Sequence, residues 1–163
     1  MKPKVKDSEL VKKLNKLLSA YQVAYFNARS SHWMIKGDSF FELHKVFENV
    51  YNDSSDKIDA IAERILTLGG MPILHASDMI RASSIKENGV NGNQAKCVSA
   101  LMDDIKSLSV IETEIAKLAQ EQDDIVTADL VTKYLGEQQK LNWMLAQFLQ
   151  QRSSITKLSK SKH

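Results

Sequence analysis

FFELHKVFENVYNDSSDKIDAIAERILTLGGMP, residues 40–72, decides the reading of this chain. Phe40, Phe41, Phe47, Ile58, Ile61, Ile65 and Leu68 recur at helical spacing, with nothing to break the helix until Gly69, Gly70 and Pro72. Asp38 or Ser39 is placed to cap its start. On the same helix His44 and Glu48 stand four residues apart, and so do Asp59 and Glu63, so each pair shares one face. The eleven residues from Glu48 to Asp59 make about three turns, which puts both pairs on nearly one polar stripe about 16 Å apart along the axis. One metal ion cannot span that distance, so a single copy offers only half-sites.

Outward from this helix the pattern stays helical. Val11, Leu14, Leu17, Leu18, Tyr21, Tyr25 and Ala28 mark a helix from a Ser8 cap to about Met34, ended by the turn at Lys36-Gly37-Asp38. Residues 71 to about 92 hold no single period; His75 to Ser83 can make a short helix, and Glu87 to Asn93 reads as turn and loop. A third long helix is expected from about Asn93 to Gln120. A fourth is expected from about Asp124 to Gln151, with Leu130, Tyr134, Leu141, Met144, Leu145 and Phe148 facing inward. Two helical hairpins joined by a long crossover give an all-α, ferritin-like four-helix bundle with a short extra helix in the connection. At 163 residues with six Gly and two Pro, the chain is a single such domain, 1–163.

The formal charge of +2 conceals a polarity along the chain. Residues 1–16 hold six lysines against two acids and residues 150–163 hold four basic residues and no acid, leaving twelve basic against eighteen acidic residues between them. The Ser- and Lys-rich ends, about 1–7 and 153–163, are expected to stay mobile and to offer Lys157, Lys160 and Lys162 to a polyanion such as DNA. The charged start lacks the apolar run of a secretion signal, and no window approaches the ~20 apolar residues of a membrane span, so a cytoplasmic protein without a membrane partner is expected. The lone Cys97 has no disulfide partner and no thiolate cluster, and reads as a helix-face residue. His75 and His163 read as loop and tail residues.

If two copies of the central helix met antiparallel across a two-fold axis, the His44 and Glu48 end of one would face the Asp59 and Glu63 end of the other, and two equivalent sites would form. His32, just before the turn, can add a second imidazole from the first copy. Two His and three carboxylates suit Fe(II) and its Fe(III) product better than a sulfur-rich site would. The isolated alternative for such acid pairs is a solvated helix face.

Ser31-His32-Trp33, Leu43-His44, Glu48, Asp59 and Glu63-Arg64, in this spacing, resemble the signature of the Dps family of mini-ferritins. Ile61 to Ile65, Gly69 to Pro72, Thr127-Ala128-Asp129 and Trp143-Met144-Leu145 extend the likeness over most of residues 8–150. The resemblance implies a homo-oligomeric shell of twelve subunits with ferroxidase sites between two-fold-related chains. His32, His44 and Glu48 would come from one chain, and Asp59 and Glu63 from the other. It also implies oxidation of Fe(II), typically by hydrogen peroxide, storage of the ferric product inside the shell, and thereby protection of DNA. Asp124 and Asp129, with Asp123 beside them, fall where the family lines negatively charged pores, although acids at a helix start also serve as caps. Trp33 reads as a packing aromatic beside the site.

Two positions depart from the family pattern. Position 48 is usually Asp, and Glu48 carries its carboxylate one methylene further out. Gln138-Gln139-Lys140 stands where many relatives have His-Glu-Lys, a change expected at subunit contacts. Larger ferritins instead build a di-iron site inside one bundle with Glu-x-x-His motifs, and this sequence contains none.

Overall fold

The computed structural model describes residues 8–160, with side chains described to Ser153. Five helices follow in order: α1 (Glu9–Met34), α2 (Phe40–Thr67), α3 (Ala76–Ala82), α4 (Gln94–Glu121) and α5 (Ile125–Lys160). The helix starts follow the caps legible in the sequence. Ser8 accepts the Val11 amide at 3.2 Å, and Asn93 accepts the Lys96 amide at 3.0 Å. The α1–α2 and α4–α5 hairpins pack against each other largely through α1 on α4, and α3 lies against α1. This is the expected four-helix bundle with its short extra helix.

Two apolar clusters fill the bundle. One joins Leu14, Leu17 and Leu18 of α1 to Ile61 and Ile65 of α2, Ile111 and Ile115 of α4, and Val131 of α5. The other gathers Leu43 and Phe47 with Cys97, Val98, Leu101, Ile105 and Leu145. Each such side chain contributes about 1.5–3 kcal/mol by leaving water. Cys97 is fully buried there, and burial pushes its thiol up from the usual range. The crossover is tied down by polar residues of α1. Asn15 donates to the Met71 carbonyl and accepts from the Ile73 amide, while Asn27 donates to the Lys86 carbonyl and accepts from the Asn88 amide.

Three expectations are corrected. Phe41, read as inward-facing, is 86% exposed: Phe40, Leu43 and Phe47 set the inward stripe at the start of α2, and Phe41 falls off it. Met144 is 51% exposed: Tyr134, Gln138, Leu141 and Leu145 set the inward stripe of α5, and Met144 falls off it. Finally, α5 does not stop near Gln151 but continues to Lys160, since no Gly or Pro follows Gly136 to interrupt it. Lys157 and Lys160 therefore stand on helical backbone; residues 1–7, Lys162 and His163 lie outside the described residues.

Candidate metal site

The turn between α1 and α2 folds the end of one helix back on the start of the next, which brings His32 onto His44. Their rings stack with centroids 3.7 Å apart and planes 23° from parallel. His32 Nδ1 lies 2.8 Å from the His44 carbonyl oxygen, and His44 Nδ1 lies 2.9 Å from the His32 carbonyl oxygen. A carbonyl oxygen can only accept, so both Nδ1 atoms carry the hydrogen and donate. In the neutral ring this fixes the tautomer and leaves Nε2 as the lone pair available to a metal. Phe40 stacks on His44 at 5.0 Å, and Tyr51 meets His32 edge-on at 5.3 Å, so an aromatic wall holds both rings in place.

Glu48 lies one turn further along α2 and is half-buried. Its carboxylate pairs with Lys45 at 2.5 Å, a partner the sequence reading did not foresee. The Lys45 ammonium holds the Glu48 carboxyl below the usual range, with smaller help from His32 and His44. Asp59 and Glu63 follow on the same continuous helix, both exposed. Among the described residues, no three His, Cys, Asp or Glu side chains of one chain gather closely enough to hold a metal ion. The chain thus assembles the histidine pair and leaves the carboxylates along an open helix face.

These features sit in a bundle whose relatives are known. A ferritin-like domain model matches residues 11–155. The DNA protection during starvation protein of Porphyromonas gingivalis is 40% identical over 139 residues, covering 85% of this chain and 87% of that one. DNA protection during starvation protein 2 of Bacillus anthracis is 35% identical over 145 residues, 89% and 99% of the two chains. A crystal structure from Vibrio cholerae O1, described as a Dps protein of the ferritin-like diiron-carboxylate superfamily, matches with a TM-score of 0.84 and 42% identity over 86% of this chain and 89% of that one. The chain belongs to the Dps family.

Other residues singled out in the sequence take varied places in this Dps fold. Asp124 caps α5, accepting the Thr127 amide at 3.0 Å and its hydroxyl at 2.5 Å, and pairs with Arg64 at 2.7 Å. Burial pushes its carboxyl up, but Thr127 and Arg64 outweigh that and hold it below the usual range. Asp129 is exposed and lines a shallow surface depression with Asp123 and Thr132. Trp33, read as a packing aromatic, is 59% exposed, with the Arg29 guanidinium 5.1 Å from its ring centroid. His75 begins α3 as an exposed residue.

Gln138 corrects another expectation. Rather than sitting at a subunit contact it is buried in the bundle, where its Nε2 donates to Tyr21 Oη at 2.6 Å and Glu112 Oε1 at 2.9 Å, and its Oε1 accepts from Ser109. Tyr21 also donates to Glu112 Oε1 at 2.6 Å. Glu112 was missed in the sequence because it interrupts an apolar stripe, Leu108 to Ile115, as a single polar residue. It is 0% exposed, and burial pushes its carboxyl up to about 7 despite the Tyr21 and Gln138 hydrogen bonds. Nearby, the buried Lys57 ammonium pairs with Asp53 at 2.6 Å and Glu137 at 2.9 Å.

Proposed function

We propose that this Dps-family chain oxidises Fe(II) with hydrogen peroxide at sites shared by two subunits and stores the ferric product inside a hollow, twelve-subunit shell. The observation that carries the reading is the reciprocal His32–His44 lock, which fixes two imidazoles in the ligand-ready tautomer at the start of a helix bearing Glu48, Asp59 and Glu63. Family membership supports it, since the Vibrio cholerae relative is described as a diiron-carboxylate protein.

Asp59 and Glu63 of one chain would anchor the iron substrate, and His32, His44 and Glu48 of the two-fold-related chain would complete its surroundings. Anionic oxygen ligands stabilise the ferric state over the ferrous one, which favours loss of an electron from each bound iron. Two Fe(II) ions supply the two electrons that break the peroxide O–O bond. Water supplies the remaining oxygen of the ferric oxyhydroxide, and protons are released. Removing Fe(II) and peroxide together removes both reagents of hydroxyl-radical formation, which would protect DNA. Asp129 would help draw Fe(II) inward through a negatively charged pore; Asp124 is already engaged as cap and ion-pair partner. The protein would work in the cytoplasm, and no described helix is long and apolar enough to cross a membrane.

The test is to load the purified assembly with Fe(II) without oxygen and then add peroxide, following ferric absorbance and residual peroxide together. Iron-dependent peroxide loss with a growing ferric signal is expected. An assembled shell that consumes no peroxide in an iron-dependent way overturns the reading.

A second reading rests on the basic C-terminal segment and on the relatives named for DNA protection. Twelve copies of Lys157, Lys160 and Lys162 would bind DNA non-specifically by avidity, and the chain would then work at the nucleoid. Salt-sensitive DNA retardation lost on deleting residues 153–163 is its signature.

A further inference from the structure

Lys36 and Gly37 of the α1–α2 turn, the Asn91–Asn93 loop, Gln94 and Ala95 of α4, and Arg152 near the end of α5 line one concave pocket. The loops are locked together there. The Lys36 amide donates to the Gly92 carbonyl at 3.3 Å, and Gly92 holds φ +85° so close to α1 that a Cβ would lie 2.0 Å from the Met34 carbonyl oxygen. Gly37, at φ +118°, sits against Gln94: a Cβ there would lie 2.9 Å from Gln94 Nε2.

The pocket is rich in donors. Within α4, Asn93 satisfies the amides of Lys96 and Cys97. The amides of Gln94 and Ala95 belong to the first turn, which has no intrahelical acceptors to offer them. That turn contains no acidic residue to compensate the positive end of a 28-residue helix. Gln94 is 4% exposed, its Oε1 accepts from Arg152, and its Nε2 has no hydrogen-bond partner among the described residues. A buried amide that donates to nothing is costly unless something arrives to accept. Lys36 and Arg152 both line the pocket and bring positive charge to it, and Arg152 pairs with the Asp38 carboxylate at 2.7 Å.

The geometry points to a phosphate-binding pocket in which a tetrahedral oxyanion accepts from Gln94 Nε2 and the α4 first-turn amides and is neutralised by Lys36 and Arg152. A helix N-terminus, a buried unpaired amide and two cations together match an anion with several acceptor oxygens better than a single-atom halide. Free inorganic phosphate and a nucleic-acid phosphodiester share this chemistry. The pocket is separate from the iron reading and does not depend on it.

Titration calorimetry of the full-length assembly with inorganic phosphate, at constant ionic strength set with chloride, tests it. Saturable binding is expected, weakened about tenfold or more in Lys36→Ala and in Gln94→Leu. Lys36 is exposed, so its variant reports on the pocket even where the buried Gln94 change disturbs folding. Absence of saturable binding, or unchanged affinity in Lys36→Ala, overturns the proposal. A DNA-retardation arm then identifies the source. Phosphate competition together with weakened retardation in Lys36→Ala marks the phosphodiester, whereas phosphate binding with DNA retardation unaffected by either marks the free anion.

Discussion

His32 and His44 each donate a ring Nδ1–H to the other's backbone carbonyl, at 2.8 and 2.9 Å, so the two carbonyls set the tautomer and orientation of both rings. Losing one ring removes one ligand and the stacking partner of the other, which keeps its own hydrogen bond to the backbone carbonyl. Both His32→Ala and His44→Ala are expected to slow peroxide-driven Fe(II) oxidation about 10–100-fold, and the double variant more than either single one, because each ring keeps its own backbone hydrogen bond when the other is lost. Stopped-flow oxidation rates on assemblies of verified size check this. A double variant no slower than either single one would show instead that the two rings act as one unit.

Asp124 and Asp129 stand in one acidic stretch but do different work. Asp124 caps α5 and holds the half-buried Arg64, so Asp124→Ala is expected to cost about 2 kcal/mol or more in urea unfolding. Asp129 is exposed, and Asp129→Ala should change stability by no more than about 0.5 kcal/mol. If Asp129 guides iron, its variant slows mineral growth while leaving stability intact. Equal stability losses in the two variants would contradict this division of roles.

Much of this fold could be read from the chain because its signals are local. Ser8 and Asn93 announce helix starts through caps that need only three residues, and the His44, Glu48, Asp59 and Glu63 stripe needs only helical periodicity. The errors come where hydrophobicity was taken to mean burial, as at Phe41 and Met144, or where Ser and Lys were taken to end a helix, as after Gln151. The Tyr21–Glu112–Gln138 network was illegible for a different reason. Its members lie 91 and 117 residues apart along the chain from Tyr21, so only the assembled bundle makes a polar partner for each.

That network gives stability a pH dependence. Burial lifts the Glu112 carboxyl to about 7 from an ordinary 4.5, so the folded chain holds a proton that the unfolded chain releases. The resulting stabilisation is complete below about pH 4.5 and is lost as pH rises through about 7, a difference of order 3 kcal/mol. Asp104, lifted to about 6 from 3.8 by burial, acts in the same direction over a lower window. Wild-type urea midpoints should fall between pH 5 and pH 8, and Glu112→Gln should remove most of that fall. An undiminished fall in Glu112→Gln would place its cause elsewhere.

The division of ligands between subunits can be tested by mixing. Suppose one chain carries His44→Ala and another Asp59→Ala, each expected to be strongly slowed as a pure assembly. In a two-fold dimer of the two kinds, one interface site combines the intact His44 of the second chain with the intact Asp59 of the first, while the other site carries both lesions. Random pairing makes about half the dimers mixed, so about a quarter of all sites recover. Co-refolding the two variants at equal ratio should therefore restore roughly a quarter of wild-type iron oxidation. A site built within one chain predicts no recovery, because every chain in the mixture still lacks one ligand. Oxidation rates of the co-refolded and separately refolded samples, compared at matched shell concentration, decide between them.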